Sequence, residues 1–163
     1  MPAIDLDYMK TAWANQTYFQ LVIPPMNMTI NTLRYKVGAA CAGACATVWS
    51  FYDADKNRIT SSDVITDQTT GWKGTTFSAP PTLSAWNIYY VTVSNNDAAW
   101  RILCVNHTWD ITEALRSTAN PRVGTAQNQH TGSGTSITAP ATLGTLTQGD
   151  GSIGMPAFFV LSR

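Results

Sequence analysis

From Thr17 onward, apolar and polar side chains alternate along the chain with a period of two. That spacing sets successive side chains on opposite faces of a strand. Residues 17–23 read as a first strand, stopped by Pro24-Pro25. Residues 29–38 follow, with Leu33, Tyr35 and Val37 on one face and Arg34 and Lys36 on the other. Residues 45–52 place Thr47, Trp49 and Phe51 against Val48, Ser50 and Tyr52. A polar turn at 53–57 leads into a short strand near 58–60, and another strand is expected at 74–79, ended by Pro80-Pro81. Residues 86–94 carry the clearest alternation, Tyr89, Val91 and Val93 against Tyr90, Thr92 and Ser94. Asn95-Asn96-Asp97 then turns the chain into 98–105, and the two runs read as an antiparallel hairpin in the heart of a sheet.

The rest of the chain is less regular. Residues 117–154 are rich in Gly, Thr, Ser and Gln and poor in apolar side chains, with Gly132-Ser133-Gly134 at their centre. A stretch of that length without strand signals implies a functional loop or a contact surface. Asp110-Ile111-Thr112-Glu113 supports one or two helical turns, an acidic cap with a glutamate three positions on. The apolar run 155–162 closes the chain as a buried strand. At the other end, Leu6, Met9 and Trp13 are spaced for one face of a short helix, while Ile4, Leu6 and Tyr8 equally suit an extended arm; the pattern leaves both open. The expected architecture is all-β: an antiparallel β-sandwich or jelly roll over residues 17–163, with a short N-terminal arm over 1–16.

Composition strengthens this reading. Among 163 residues there are 23 Thr, stiff β-branched side chains at home on a pleated surface, and a single Glu, Glu113. Charged residues are 12% of the chain, about half the ~25% of ordinary soluble domains. Ten basic and ten acidic side chains cancel, with no basic stripe to neutralise phosphates, which argues against a nucleic-acid partner. No apolar run approaches the ~20 residues of a membrane span, and the amino terminus lacks a signal core, so synthesis in a cytoplasm and no membrane partner are expected. Cys41, Cys45 and Cys104 are odd in number; Cys41 and Cys45 are close enough to bridge a tight turn, but free buried thiols are the favoured expectation.

The run Trp49-Ser-Phe-Tyr-Asp-Ala-Asp-Lys-Asn57 resembles a recurrent β-sandwich module of tailed-phage decoration proteins and tail fibres. In that module the turn is followed by a strand and then a hairpin resembling residues 86–93. It closes with a segment similar to Ala139-Pro140-Ala141-Thr142-Leu143-Gly144-Thr145-Leu146 and a short apolar strand. The likeness spans about residues 17–163. It departs from the module at Lys56, where glycine is usual, and at Cys41-Ala42-Gly43-Ala44-Cys45, which has no counterpart. The resemblance implies a virion structural protein without enzymatic activity. The chain has neither shaft nor heptads, which favours a capsid decoration, or cement, protein over a tail fibre. Such proteins bind the major capsid protein on the outside of the shell, commonly as homotrimers. Tyr8, Met9 and Trp13 are the expected anchors to shell or neighbouring subunit. The alternative is a tail-fibre or receptor-binding tip that stacks host glycans on Trp72 and Trp100, the two tryptophans expected to be exposed; Trp49 and Trp86 are assigned to the core.

Other chemistry finds less support. Asp53, Asp55 and Asn57 copy the first ligands of a calcium loop, but Arg58 and Val64 stand where its glycine and glutamate belong, so an Asx-stabilised turn is expected instead. His107, Asp110 and Glu113 would share a helical face, yet nothing marks a serine or Cys104 as a nucleophile beside them. No zinc spacing is present and no cofactor is expected.

Overall fold

The computed structural model describes residues 6–8, 16–105, 123–148, 155–156 and 158–161, and side chains for 16–102 and 124–147. Every regular element among them is a strand: β1 Leu6–Tyr8, β2 Gln16–Val22, β3 Met28–Thr29, β4 Thr32–Ala39, β5 Thr47–Tyr52, β6 Arg58–Ser61, β7 Gly71–Thr76 and β8 Thr82–Leu83. The chain continues with β9 Tyr89–Asn95, β10 Arg101–Val105, β11 Val123–Ala126, β12 Thr131–Ser133, β13 Ser136–Thr138, β14 Leu146–Gln148, β15 Met155–Pro156 and β16 Phe158–Leu161. All pairings of these strands are antiparallel. The fold is an antiparallel β-sandwich, as the alternation predicts.

The first sheet centres on β4, which pairs with β7 along its length and with β10 and β16; β1 and β15 pair with β10. The second sheet runs β14-β11-β2-β9-β5-β6. Between them lies one core: Leu33, Tyr35 and Val37 of β4 and Ile102 of β10 meet Tyr18 of β2, Trp49 and Phe51 of β5, and Tyr89, Val91 and Val93 of β9. Phe51 packs edge-on against Phe77 with centroids 5.4 Å apart, and Tyr35 lies tilted against Trp49 at 5.1 Å. Such pairs add ~0.5–1.5 kcal/mol to their area burial.

Two sequence expectations are corrected here. Residues 86–94 and 98–105 do not form a hairpin: β9 lies in the second sheet and β10 in the first. The chain crosses between layers at a corner made by side chains. Asn95 Nδ2 donates to Thr47 Oγ1 (2.7 Å), Asn95 Oδ1 accepts from Asp97 N–H (2.7 Å), and Asp97 Oδ1 accepts from Ala99 N–H (2.7 Å). These Asx bonds bend the chain past the register a two-residue turn would need, and deliver Trp100 into the core. The favoured free thiols are likewise replaced by a Cys41–Cys45 disulfide. The small residues between them let the loop close.

The polar segment 123–148 is also not a free loop. β11 and β14 extend the second sheet, and the β12–β13 hairpin lies over β5. Together they cover the outer face of that sheet. Phe19, Tyr52 and Tyr90 are buried against Ala126, Leu143 and Leu146, and Val48 against Ile137 and Ala139. Consequently β5 and β9 are buried at every position. Leu6–Tyr8 of the arm is extended, paired with residues 103–105, and the helix expected at 110–113 lies outside the described residues.

Candidate functional site

The turn after β5 is built as an Asx turn. Asp53 Oδ1 accepts the Asn57 N–H (2.9 Å), Asp53 C=O accepts from Lys56 N–H (3.0 Å), and Asn57 C=O accepts from Asp53 N–H (3.0 Å). Lys56 sits at φ 68, the left-handed region that favours glycine, which explains physically why glycine would suit this position. The turn is then clamped from the far end of the sequence. Tyr52 Oη donates to Pro140 C=O (2.7 Å), Arg58 N–H to Ala141 C=O (2.9 Å), and Leu143 N–H to Lys56 C=O (3.1 Å), while the Arg58 guanidinium also reaches Ala139 C=O. Burial pushes the Tyr52 hydroxyl up to about 12, partly offset by the Arg58 charge, so it stays a neutral donor.

The tryptophans are distributed differently from the sequence expectation. Trp100 is a correction: it is only 1% exposed, and its indole N–H donates to Gln68 Oε1 (2.8 Å) inside the core. Exposure was inferred from the neighbouring Asn-Asn-Asp turn, but that turn is the corner joining the two sheets. Trp72 stands on β7, 56% exposed. Trp86, assigned to the core as the start of a strand, is 74% exposed and lies three residues before the start of β9. Trp49 is buried, as expected.

Trp86 occupies a turn of unusual backbone. Its φ is +62, uncommon for any residue but glycine and an outlier for a bulky one. Four bonds hold it there. Trp86 N–H donates to Pro24 C=O (2.8 Å), Ala85 N–H to Asn27 Oδ1 (2.8 Å), Asn87 N–H to Ser84 C=O (3.4 Å), and Ser84 N–H to Tyr89 Oη (2.9 Å). Beside it opens a cleft of about 500 Å³, lined by Trp86, Asn87, Ile88 and Tyr89 on one side and Asp53, Ala54 and Asp55 on the other. Sequence reasoning named both segments but did not bring them together, because the indole was counted toward the core.

A second cleft of about 460 Å³ lies between β6 and the β12–β13 hairpin, with Arg58, Thr60, Asp63 and Val64 among its lining. His130 is buried, 6% exposed, with neither ring nitrogen hydrogen-bonded among the described residues, and desolvation lowers its pKa. Among the described residues no three His, Cys, Asp or Glu side chains are grouped to hold a metal. Tyr8 lies in β1 opposite Leu103. Met9, Trp13, His107, Asp110 and Glu113 fall outside the described residues. No protein-family model, no curated protein and no solved structure matches this chain.

Proposed function

We propose that this protein is a tailed-bacteriophage structural component, a capsid decoration protein that binds the major capsid protein on the outside of the shell and stabilises it without performing chemistry. One observation carries the reading. The two segments that resemble the phage module, 49–57 and 139–146, lie 80 or more residues apart in sequence yet dock on each other as a single hydrogen-bonded clamp. Segments shared with a module for structural reasons are expected to meet in this way. The left-handed Lys56 supports the same reading at the position where the module has glycine.

The fold suits a mechanical role. The central strands of the second sheet, β5 and β9, are buried at every position, which suits a rigid body. β1 ends the first sheet, and its outer edge is unpaired among the described residues, so it can accept a strand from a neighbour. Shell or subunit contact through this arm, with Tyr8, Met9 and Trp13 as anchors and a homotrimer as the assembly, belongs to the proposal. A ligand that binds only the assembled lattice stabilises it by mass action. The Cys41–Cys45 bridge favours a location exposed to oxidising surroundings, as the outside of a released particle is.

Gold-labelled antibody against this protein, applied to purified particles, is expected to decorate heads. Label confined to tail tips, or particles that carry none of the protein, would contradict the proposal. The tip alternative loses Trp100 to the core and keeps Trp72 alone of its two stacking residues.

A further inference from the structure

We infer that the cleft beside Trp86 is a binding site for a neutral carbohydrate, in which the indole stacks on the C–H face of a hexopyranose ring while Asp53, Asp55 and Asn87 bond its hydroxyls. The inference does not rest on the shell reading, and either can fail without the other.

The argument begins with what the indole does without a ligand. Trp86 is the most exposed large apolar side chain described, more so than Met26 at 61% or Trp72 at 56%. A tryptophan that serves the fold is normally buried, and this one is displayed by a backbone conformation that disfavours it. The displaying turn is fixed by bonds to Pro24, Asn27, Ser84 and Tyr89, so the ring is presented on a rigid mount and little ordering remains to be done on binding.

The chemistry around the ring then selects the ligand. Across the cleft stand the Asp53 and Asp55 carboxylates and, next in sequence to Trp86, the Asn87 amide. Asp53 uses Oδ1 within its own turn, and Asp55 and Asn87 are solvent-exposed. A flat apolar face bordered by carboxylate acceptors and an amide matches a sugar, which offers an apolar C–H face and a rim of hydroxyl donors. Ala54, Ile88 and Tyr89 complete the lining. The exposed apolar side chains of the adjacent loop, Ile23 and Met26, do not line the cleft. Asp53 and Asp55 bring two negative charges to the cleft, which disfavours an anionic sugar.

Affinity electrophoresis of the full chain through gels containing laminarin, galactan or polygalacturonate tests this. Retardation by laminarin or galactan and free migration through polygalacturonate are expected. Trp86→Gly relieves the left-handed backbone while removing the ring, so the variant folds; its affinity should fall about thirtyfold, the size typical of an anchoring tryptophan. Asp55→Asn should weaken retention less, because an amide still accepts a hydroxyl. Free migration of the native chain through both neutral polymers overturns the inference. So do stronger retention by polygalacturonate, a Trp86→Gly variant retained like the native chain, or retention that depends on Trp72 instead.

Discussion

The two sheets of this sandwich solve the burial problem differently. In the first, β4 alternates: Leu33, Tyr35 and Val37 are buried while Arg34 is exposed and Lys36 half-buried. One face meets the core and the other meets water, as in an ordinary antiparallel sheet. In the second, β5 and β9 bury every residue, inner and outer. Their outer face carries Val48, Tyr52 and Tyr90, and it is covered by a segment whose own composition is mostly Gly, Thr, Ser, Asn and Gln. A polar stretch can therefore be part of the core's architecture when a few apolar side chains, Leu143, Leu146, Ile137 and Ala139, fall at the right places.

The sharpest way to break this contrast is to mutate across it. Leu143 is fully buried in the cover, and Leu143→Ala should lower stability by about 2–5 kcal/mol, the range for emptying a packed core site. Arg34→Ala on the open face of β4 should stay within about 0.5 kcal/mol. Chemical denaturation of both variants checks the pair. A harmless Leu143→Ala would reduce the cover to a loosely lying loop.

The disulfide comes next in size. Its loop is short, so the chain-entropy gain is at most about 2 kcal/mol, and the Cys41→Ser, Cys45→Ser double variant should lose no more than that in the same measurement. A larger loss would mean that the bridge also holds the adjoining end of β5 in place.

The smallest effect concerns acid. Burial lowers the His130 pKa, so the folded protein prefers the neutral ring. Above the ordinary histidine value of about 6.5 both states are neutral and the ring contributes no pH dependence. As pH falls below it, the unfolded chain takes up a proton that the folded chain resists, and stability declines until the folded-state pKa is reached. Thermal midpoints measured down this range should fall less steeply for His130→Leu than for the native protein. Equal slopes would show that His130 is solvated.

How much of this was legible in the residues follows from the same contrast. The open-faced strand β4 was readable because its alternation is complete. The burial of β5 and β9 was visible in principle: Phe51 beside Tyr52 and Tyr89 beside Tyr90 put an aromatic ring on each face, as a doubly covered sheet favours. What covered the second face was not visible, since residues 127–145 show no sustained period. The β9 to β10 crossing was misread because Asn95-Asn96-Asp97 has hairpin composition, and only the Asn95–Thr47 bond reveals a corner. For the candidate site, both the Asp53–Asn57 turn and Trp86 stood out as residues. Their adjacency depends on tertiary packing, and the exposure of Trp86 depends on a backbone dihedral that composition does not encode.

Native-state hydrogen exchange tests most directly the claim that the polar segment is structural. The Gln127, Asn128 and Leu143 amides donate to Thr145, Leu143 and Lys56 carbonyls, and they should open only with the whole molecule, at the same free energy as amides in β5 and β9. Exchange at these three sites at the rate of an unstructured peptide, while β5 and β9 remain protected, would contradict the account.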